Sequence, residues 1–332
     1  SGGSAEAAAG AGTTSASTGT GSSYRGLQIN GAGAEIATTT GDINLTGTCE
    51  VVSTGSGNVG LYTTAGNIHS TSGKITMLGK SAPAVAGSNN GIFMSGAGCL
   101  ITSGGAIELI GENRSTLGNN DPVAIGTATI TSTAVTGGSI KVTGTTVVPI
   151  YANGTNGVSL ASSATITAAS GTIEITGTCT SQPGSIGTSN KGVNINGSAV
   201  KASGTTAVDI KIHGTGANSV QNLSGTSGNY GVDIEGTGAE ISAAKGSIEI
   251  IGTAGTLPVN SLADTGYGVY IATNAQILST DDASIVIEGT ASTGGDDNQT
   301  GVYITDSTAP TGVGLSENLT AQVNISTTKR HL

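Results

Sequence analysis

The chain has 332 residues, 56 of them glycine, with 2% aromatic and 10% charged residues and no tryptophan. Eleven basic against 21 acidic residues leave a net charge of −10, which excludes the basic stripe that a nucleic-acid backbone requires. Low charge with a mean hydropathy near zero is unlike a disordered polyelectrolyte, and no run approaches the roughly 18 apolar residues of a membrane span.

Read from the N-terminus, residues 1–25 are expected to form a loop or partial coil. Their end, GTGSSYRG, resembles the later GTSGNYG that closes on Gly231. The chain is therefore expected to begin inside a loop rather than at a cap. From Gly26 onward two phrases alternate. A glycine followed by apolar–x–apolar opens at Gly26, Gly60, Gly91, Gly157, Gly192, Gly231, Gly268 and Gly301. An apolar–x–apolar–x–Gly phrase closes on Gly47, Gly79, Gly111, Gly144, Gly177, Gly214, Gly252 and Gly289, at intervals of 32 to 38 residues. The fourth unit starts at Val123 with a degenerate opening.

Inside a unit the period is two, the mark of strands. Val232 and Ile234 face one way and Asp233 the other; Ala239 and Ile241 flank Glu240; Ile248 and Ile250 flank Glu249. Glycine and asparagine suit the corners between these strands because they accept positive φ. A polar loop of variable length, such as Thr253–Tyr267, follows the third strand.

Three strands, two tight turns and one long loop per repeat predict an all-β chain. The expected architecture is a right-handed parallel β-helix of about nine three-stranded coils, each of 31–39 residues, with residues 26–332 as one domain. A sandwich of short strands would not produce a fixed repeat of identical phrasing.

Stacking the coils predicts columns of residues. The outward column of the third strand reads Asn44, Thr76, Glu108, Lys141, Glu174, Lys211, Glu249, Val286, Asn324, so charge alternates from Glu108 to Glu249. Such a ladder disfavours register slips. Along the first strand the column is Gln28, Tyr62, Phe93, Ala124, Ser159, Asn194, Asp233, Tyr270, Tyr303, with Tyr230 and Tyr267 close by. Tyr62 with Phe93, and Tyr270 with Tyr303, then stack on adjacent coils. This strip reads either as cross-rung pairing that stiffens the sheet or as a contact strip for a neighbouring subunit.

Cys49 and Cys179 occupy the same slot four coils apart, roughly 19 Å at the coil spacing, too far for a disulfide. With Cys99 on the second strand, all three are expected as thiols.

Chemistry is sparse. The acidic doublets Asp281–Asp282 and Asp296–Asp297 have no basic partner in view and read as turn and loop residues; Asp296 and Asp297 in GGDDN are a calcium candidate without the repeated spacing of calcium-binding β-rolls. His69, His213 and His331 fall at unrelated positions, and no serine stands in a nucleophile elbow. No catalytic, cofactor or metal set emerges. The outward second-strand column, Glu35, Asn67, Leu100, Thr129, Thr165, Glu240, Gln276, is not the threonine array that ice binding needs.

With its phrasing GVxI…AxI…GxIxIxG from Gly26 to about Ile325, the chain resembles the β-helical shafts of large bacterial exoproteins: filamentous-haemagglutinin-like adhesins, two-partner-secretion proteins and autotransporter passengers. The coils here are longer than the usual haemagglutinin shaft, and that family's N-terminal secretion domain is not recognisable. What the resemblance implies is an extracellular or cell-surface protein with a role in adhesion, biofilm matrix or filament construction. Expected partners are further copies, further repeats of a longer chain, or a glycan or receptor met by the loops.

Overall fold

The computed structural model describes residues 5–9, 23–50, 56–83, 89–116, 120–147, 154–180, 189–218, 228–257, 265–279, 281, 283–293, 299–305 and 323–328. Among them every regular element is a strand. The strands form three parallel sheets, of nine first strands, eight second strands and ten third strands, each strand hydrogen-bonded to its equivalent in the coils before and after. One coil comprises Lys191–Asn196, Ala199–Ala202 and Val208–Thr215; the next comprises Val232–Glu235, Glu240–Ala243 and Ser247–Thr253.

The parallel β-solenoid matches the expected class, but the coil count is slightly lower. About seven turns are present rather than nine. Eight strand triplets are complete, from Arg25–Asn30 to Ser284–Thr290, and they are separated by seven coil-to-coil rises. Beyond them the ninth repeat contributes Val302–Ile304 and Val323–Thr328 but no second strand among the described residues.

The expected columns pair residue for residue. Glu108 lies beside Lys141, Lys141 beside Glu174, Glu174 beside Lys211 and Lys211 beside Glu249. Tyr62 lies beside Phe93, and Asp233 beside Tyr270 and then Tyr303. Inward positions stack into one long core in which Ile43, Ile75, Ile140, Ile173, Ile210 and Ile248 are fully buried. Each such side chain contributes roughly 1.5–3 kcal/mol, and β-branched residues fit a pleated wall that needs no large aromatic.

The closing glycines are not corners. A Cβ at Gly47, Gly79, Gly111, Gly144, Gly177, Gly214, Gly252 or Gly289 would stand 1.8–2.2 Å from the carbonyl oxygen that opens the next coil. The third strand of one coil thus crosses the first strand of the next backbone against backbone, and only glycine leaves room. Glycines with left-handed backbone lie elsewhere, as at Gly236 and Gly238 (both φ +90°) in the turn between the first and second strands.

A second vertical device joins the coils. The side-chain oxygens of Asn58, Asn89, Asn120, Thr155, Asn190 and Asn229 each accept the backbone N–H of the residue one coil earlier, from Tyr24 to Asn190, at 2.6–3.4 Å. All six are fully buried. A buried donor left unmade costs about 1–3 kcal/mol, so this ladder fixes the entry to the first seven coils. It ends at Asn229; the next coil has Gly266 in that slot.

Cys49, Cys99 and Cys179 are buried and joined by no disulfide. Burial pushes the thiols of Cys99 and Cys179 up.

Candidate functional site

The outer face of the first-strand sheet gathers six of the chain's eight aromatic residues and, among the described residues, the buried carboxylate Asp233. Near its start Tyr62 and Phe93 stack at 5.5 Å between centroids and 9° between planes, and the Arg25 guanidinium lies 4.2 Å above Tyr62. Towards its end, four tyrosines form one cluster. Tyr267 stacks on Tyr303 at 4.7 Å and on Tyr270 at 5.4 Å; Tyr230 stacks on Tyr270 at 5.1 Å and on Tyr267 at 5.3 Å. The planes of Tyr270 and Tyr303 are parallel within 1°, with centroids 5.8 Å apart. Because the rings stack along the coil axis, they spend their faces on one another. Their edges and hydroxyls are what remain for other groups, with Tyr303 the exposed member of the cluster.

Between the two aromatic groups the column does not simply face solvent. Asp233, placed on the outer side by its register, is 1% exposed. Lys191 reaches it from the preceding coil: its Nζ contacts Asp233 Oδ2 and lies 3.6 Å from Glu235 Oε1. The same nitrogen donates to Asn194 Oδ1 at 3.4 Å and sits 5.9 Å over the Tyr230 ring. Asp233 Oδ1 has no hydrogen-bond partner. Burial pushes the Asp233 carboxyl up to about 6, against the pull of Lys191. For Lys191 burial acts downward, but Asp233 and then Glu235 outweigh it and hold the ammonium above its usual range. Three coils before Asp233, Asp121 accepts the Asn156 backbone N–H at 2.6 Å and its amide at 3.2 Å. Burial pushes its carboxyl up to about 7, with Asn156 opposing.

The charge column of the third strand keeps its register but closes few pairs within itself. Lys141 Nζ meets Glu174 Oε1 at 3.1 Å. Glu108 is instead bound by Lys74 at 2.5 Å, and Glu249 by His213 at 2.7 Å. Lys211 has no carboxylate within 4 Å among the described residues. At half-exposed sites such pairs are worth about 1 kcal/mol or less.

A groove of about 600 Å³ opens where the third strands of the first four coils end, lined by Thr48, Glu50, Lys80, Pro83, Glu112, Arg114 and Val147. Arg114 holds Glu50 through two bonds, at 2.9 and 2.8 Å, and Lys80 meets Glu112 at 3.0 Å. The Arg114 bond draws the Glu50 carboxyl below its ordinary range.

Asp281, expected without a basic partner, has Lys245 Nζ 3.7 Å from its Oδ2; the partner comes from the coil before, where sequence proximity does not reveal it. Asp282, Asp296, Asp297 and His331 lie outside the described residues. Among the described residues no group of three or more His, Cys, Asp or Glu could hold a metal, and no helix is long and apolar enough to cross a membrane.

Sequence reasoning missed the asparagine ladder, although its signal was present: asparagine recurs two residues before the opening position at Asn58, Asn89, Asn190 and Asn229. It also missed the Lys191–Asp233–Glu235 cluster.

No family model, no curated protein and no solved structure matches the chain. What the geometry defines is a class of architecture, a parallel β-solenoid built from tandem repeats.

Proposed function

We propose that this chain is a non-catalytic structural protein: a rigid β-solenoid shaft or filament subunit of an extracellular bacterial fibre or matrix. The observation that carries the reading is vertical continuity. Three sheets, eight glycine crossings and a buried asparagine ladder all repeat at the coil spacing, so length and stiffness are the properties on which the sequence is spent. Seven rises of about 4.8 Å give roughly 34 Å of shaft. The extracellular assignment follows from the resemblance to bacterial exoprotein shafts. Further copies of the chain are the proposed partner, with Tyr62, Phe93, Tyr270 and Tyr303 as the contact strip, since aromatic edges are favoured at interfaces.

Electron microscopy of the purified protein tests this reading. Fibres or lateral bundles whose density repeats continuously along the axis support it. Dispersed monomers at high concentration would sink the self-assembling form.

One observation favours a second reading, an adhesin module. The groove around Glu50, Lys80, Glu112 and Arg114 lies at the foot of the loops on one edge, where a glycan or receptor could be held by charged side chains. Glycan-array binding abolished by Arg114→Glu would favour recognition over construction.

A further inference from the structure

We propose that Lys191 and Asp233 condense to an amide, a covalent isopeptide cross-link between two successive coils, assisted by Glu235. Three observations meet at this point.

The first is proximity. Lys191 Nζ contacts Asp233 Oδ2, which places the nitrogen beside the carboxyl carbon without any movement of the backbone. Lys191 opens the first strand of one coil, and Asp233 pairs with Asn194 in the next, so the two ends are held by hydrogen-bonded strands. Effective concentrations reached by such fixed neighbours are what turn a slow bimolecular condensation into a feasible intramolecular one.

The second is desolvation. Asp233 is 1% exposed, the Lys191 side chain 15%, and Asp233 Oδ1 lacks any partner. An ion pair in such a place carries a desolvation penalty that its attraction offsets only with full hydrogen bonding. The neutral amide removes both charges and leaves one carbonyl oxygen where two carboxylate oxygens stood. The aromatic wall of Tyr230, with Tyr270 beside Asp233, keeps the site dry, which favours loss of water.

The third is a proton carrier. Glu235 Oε1 lies 3.6 Å from the same nitrogen and is itself held by the Asn196 amide at 3.3 Å. Glu235 takes one ammonium proton, and the freed amine attacks Cγ of Asp233. The proton then passes to the departing oxygen. The Nζ–Cγ bond forms, one Cγ–Oδ bond breaks, and two of the three ammonium protons leave with that oxygen as water. Ammonium plus carboxylate equals amide plus water, so no oxidant or activated co-reactant enters. The raised Asp233 carboxyl fits a group more easily protonated, and hence more electrophilic, than an ordinary aspartate. Against burial, the same carboxylates hold the ammonium above its usual range, so the amine forms only as Glu235 takes its proton in the attacking step.

Mass spectrometry of the purified, denatured chain tests the link. The expected intact mass is that of the sequence less one water. Trypsin is expected to leave the bond after Lys191 uncut and to yield a branched peptide joining residues 142–201 to residues 212–245. Lys191→Arg, which keeps the cation but offers no amine of comparable reactivity, is expected at full mass, and Glu235→Gln at full mass in most molecules. A wild-type chain at full mass, with the peptide 192–201 released by trypsin, overturns the proposal. So does a water loss that persists in Lys191→Arg. The wild-type measurement decides the matter even if a variant fails to fold.

Discussion

Replacing a closing glycine by alanine tests why the repeat is written as it is. At Gly177 the added carbon would stand 2.0 Å from Gly192 O and 2.9 Å from Val193 Cγ2. Restoring an ordinary contact of 3.4 Å requires the two strands to part by about 1.4 Å. A buried aliphatic side chain makes about 40–60 contacts of ~0.1–0.2 kcal/mol, and a gap of about 1 Å forfeits up to half of that, so Val193 alone would lose up to roughly 2–6 kcal/mol. Two controls separate this effect from backbone preference. Gly98 has open space around it but φ of +97°, so alanine there should cost about 1–2 kcal/mol. Gly33 has open space and no positive φ, so alanine there should be nearly neutral. Urea unfolding followed by circular dichroism, with the slope checked for constancy, is expected to rank the midpoints Gly33→Ala, Gly98→Ala, Gly177→Ala from highest to lowest. A Gly177→Ala chain within about 0.5 kcal/mol of wild type, a change typical of a neutral surface site, would refute the crossing argument.

Other consequences can be measured alongside it. Asn190→Ala removes the acceptor for the Thr155 N–H; it should cost about 1–3 kcal/mol and speed amide exchange at Thr155. Asp121 has a native carboxyl raised from 3.8 to about 7, so the folded chain binds that proton more tightly than the unfolded one. The resulting stability is complete below pH 3.8 and is lost as pH rises through about 7. Asp121→Asn should therefore gain in melting temperature relative to wild type between pH 4 and 8, and a pH-independent difference would contradict the assignment. Lys141→Ala should change stability by less than about 1 kcal/mol, less still in high salt, as thermal melts at two ionic strengths would show. The three cysteines should resist a thiol reagent in the native chain and all react after denaturation.

How much of this was legible beforehand depended on which physical rule governed each residue. Strand alternation and the closing glycines were enough to align every coil, and with it the columns through Glu174 and Tyr270. Alignment, however, says only which side of a sheet a residue occupies. Asp233 lies on the outer side, yet Lys191 and the tyrosines of adjacent coils cover it, and that cover comes from three different repeats. The period of the closing glycines was legible, but its cause was not. Corner glycines and crossing glycines look alike in sequence, and only the 1.8–2.2 Å approach distinguishes them. Charge alternation likewise predicted neighbours but not partners: Glu108 turns to Lys74 rather than Lys141, because a long side chain reaches the diagonal as easily as the rung.

The asparagine ladder has a mechanical consequence. Hydrogen bonds between coils run along the solenoid axis, so tension on the shaft loads the coil interfaces in series, and the weakest yields first. Six successive interfaces carry a buried rung from the asparagine slot; the next has Gly266 there, with no side chain to supply one. At that interface Ser292 accepts the Leu257 backbone N–H at 3.0 Å and the rings of Tyr230, Tyr267 and Tyr303 stack from coil to coil. A pull on the shaft is therefore resisted by different side-chain devices along its length, buried amides in the earlier coils and stacked rings in the later ones.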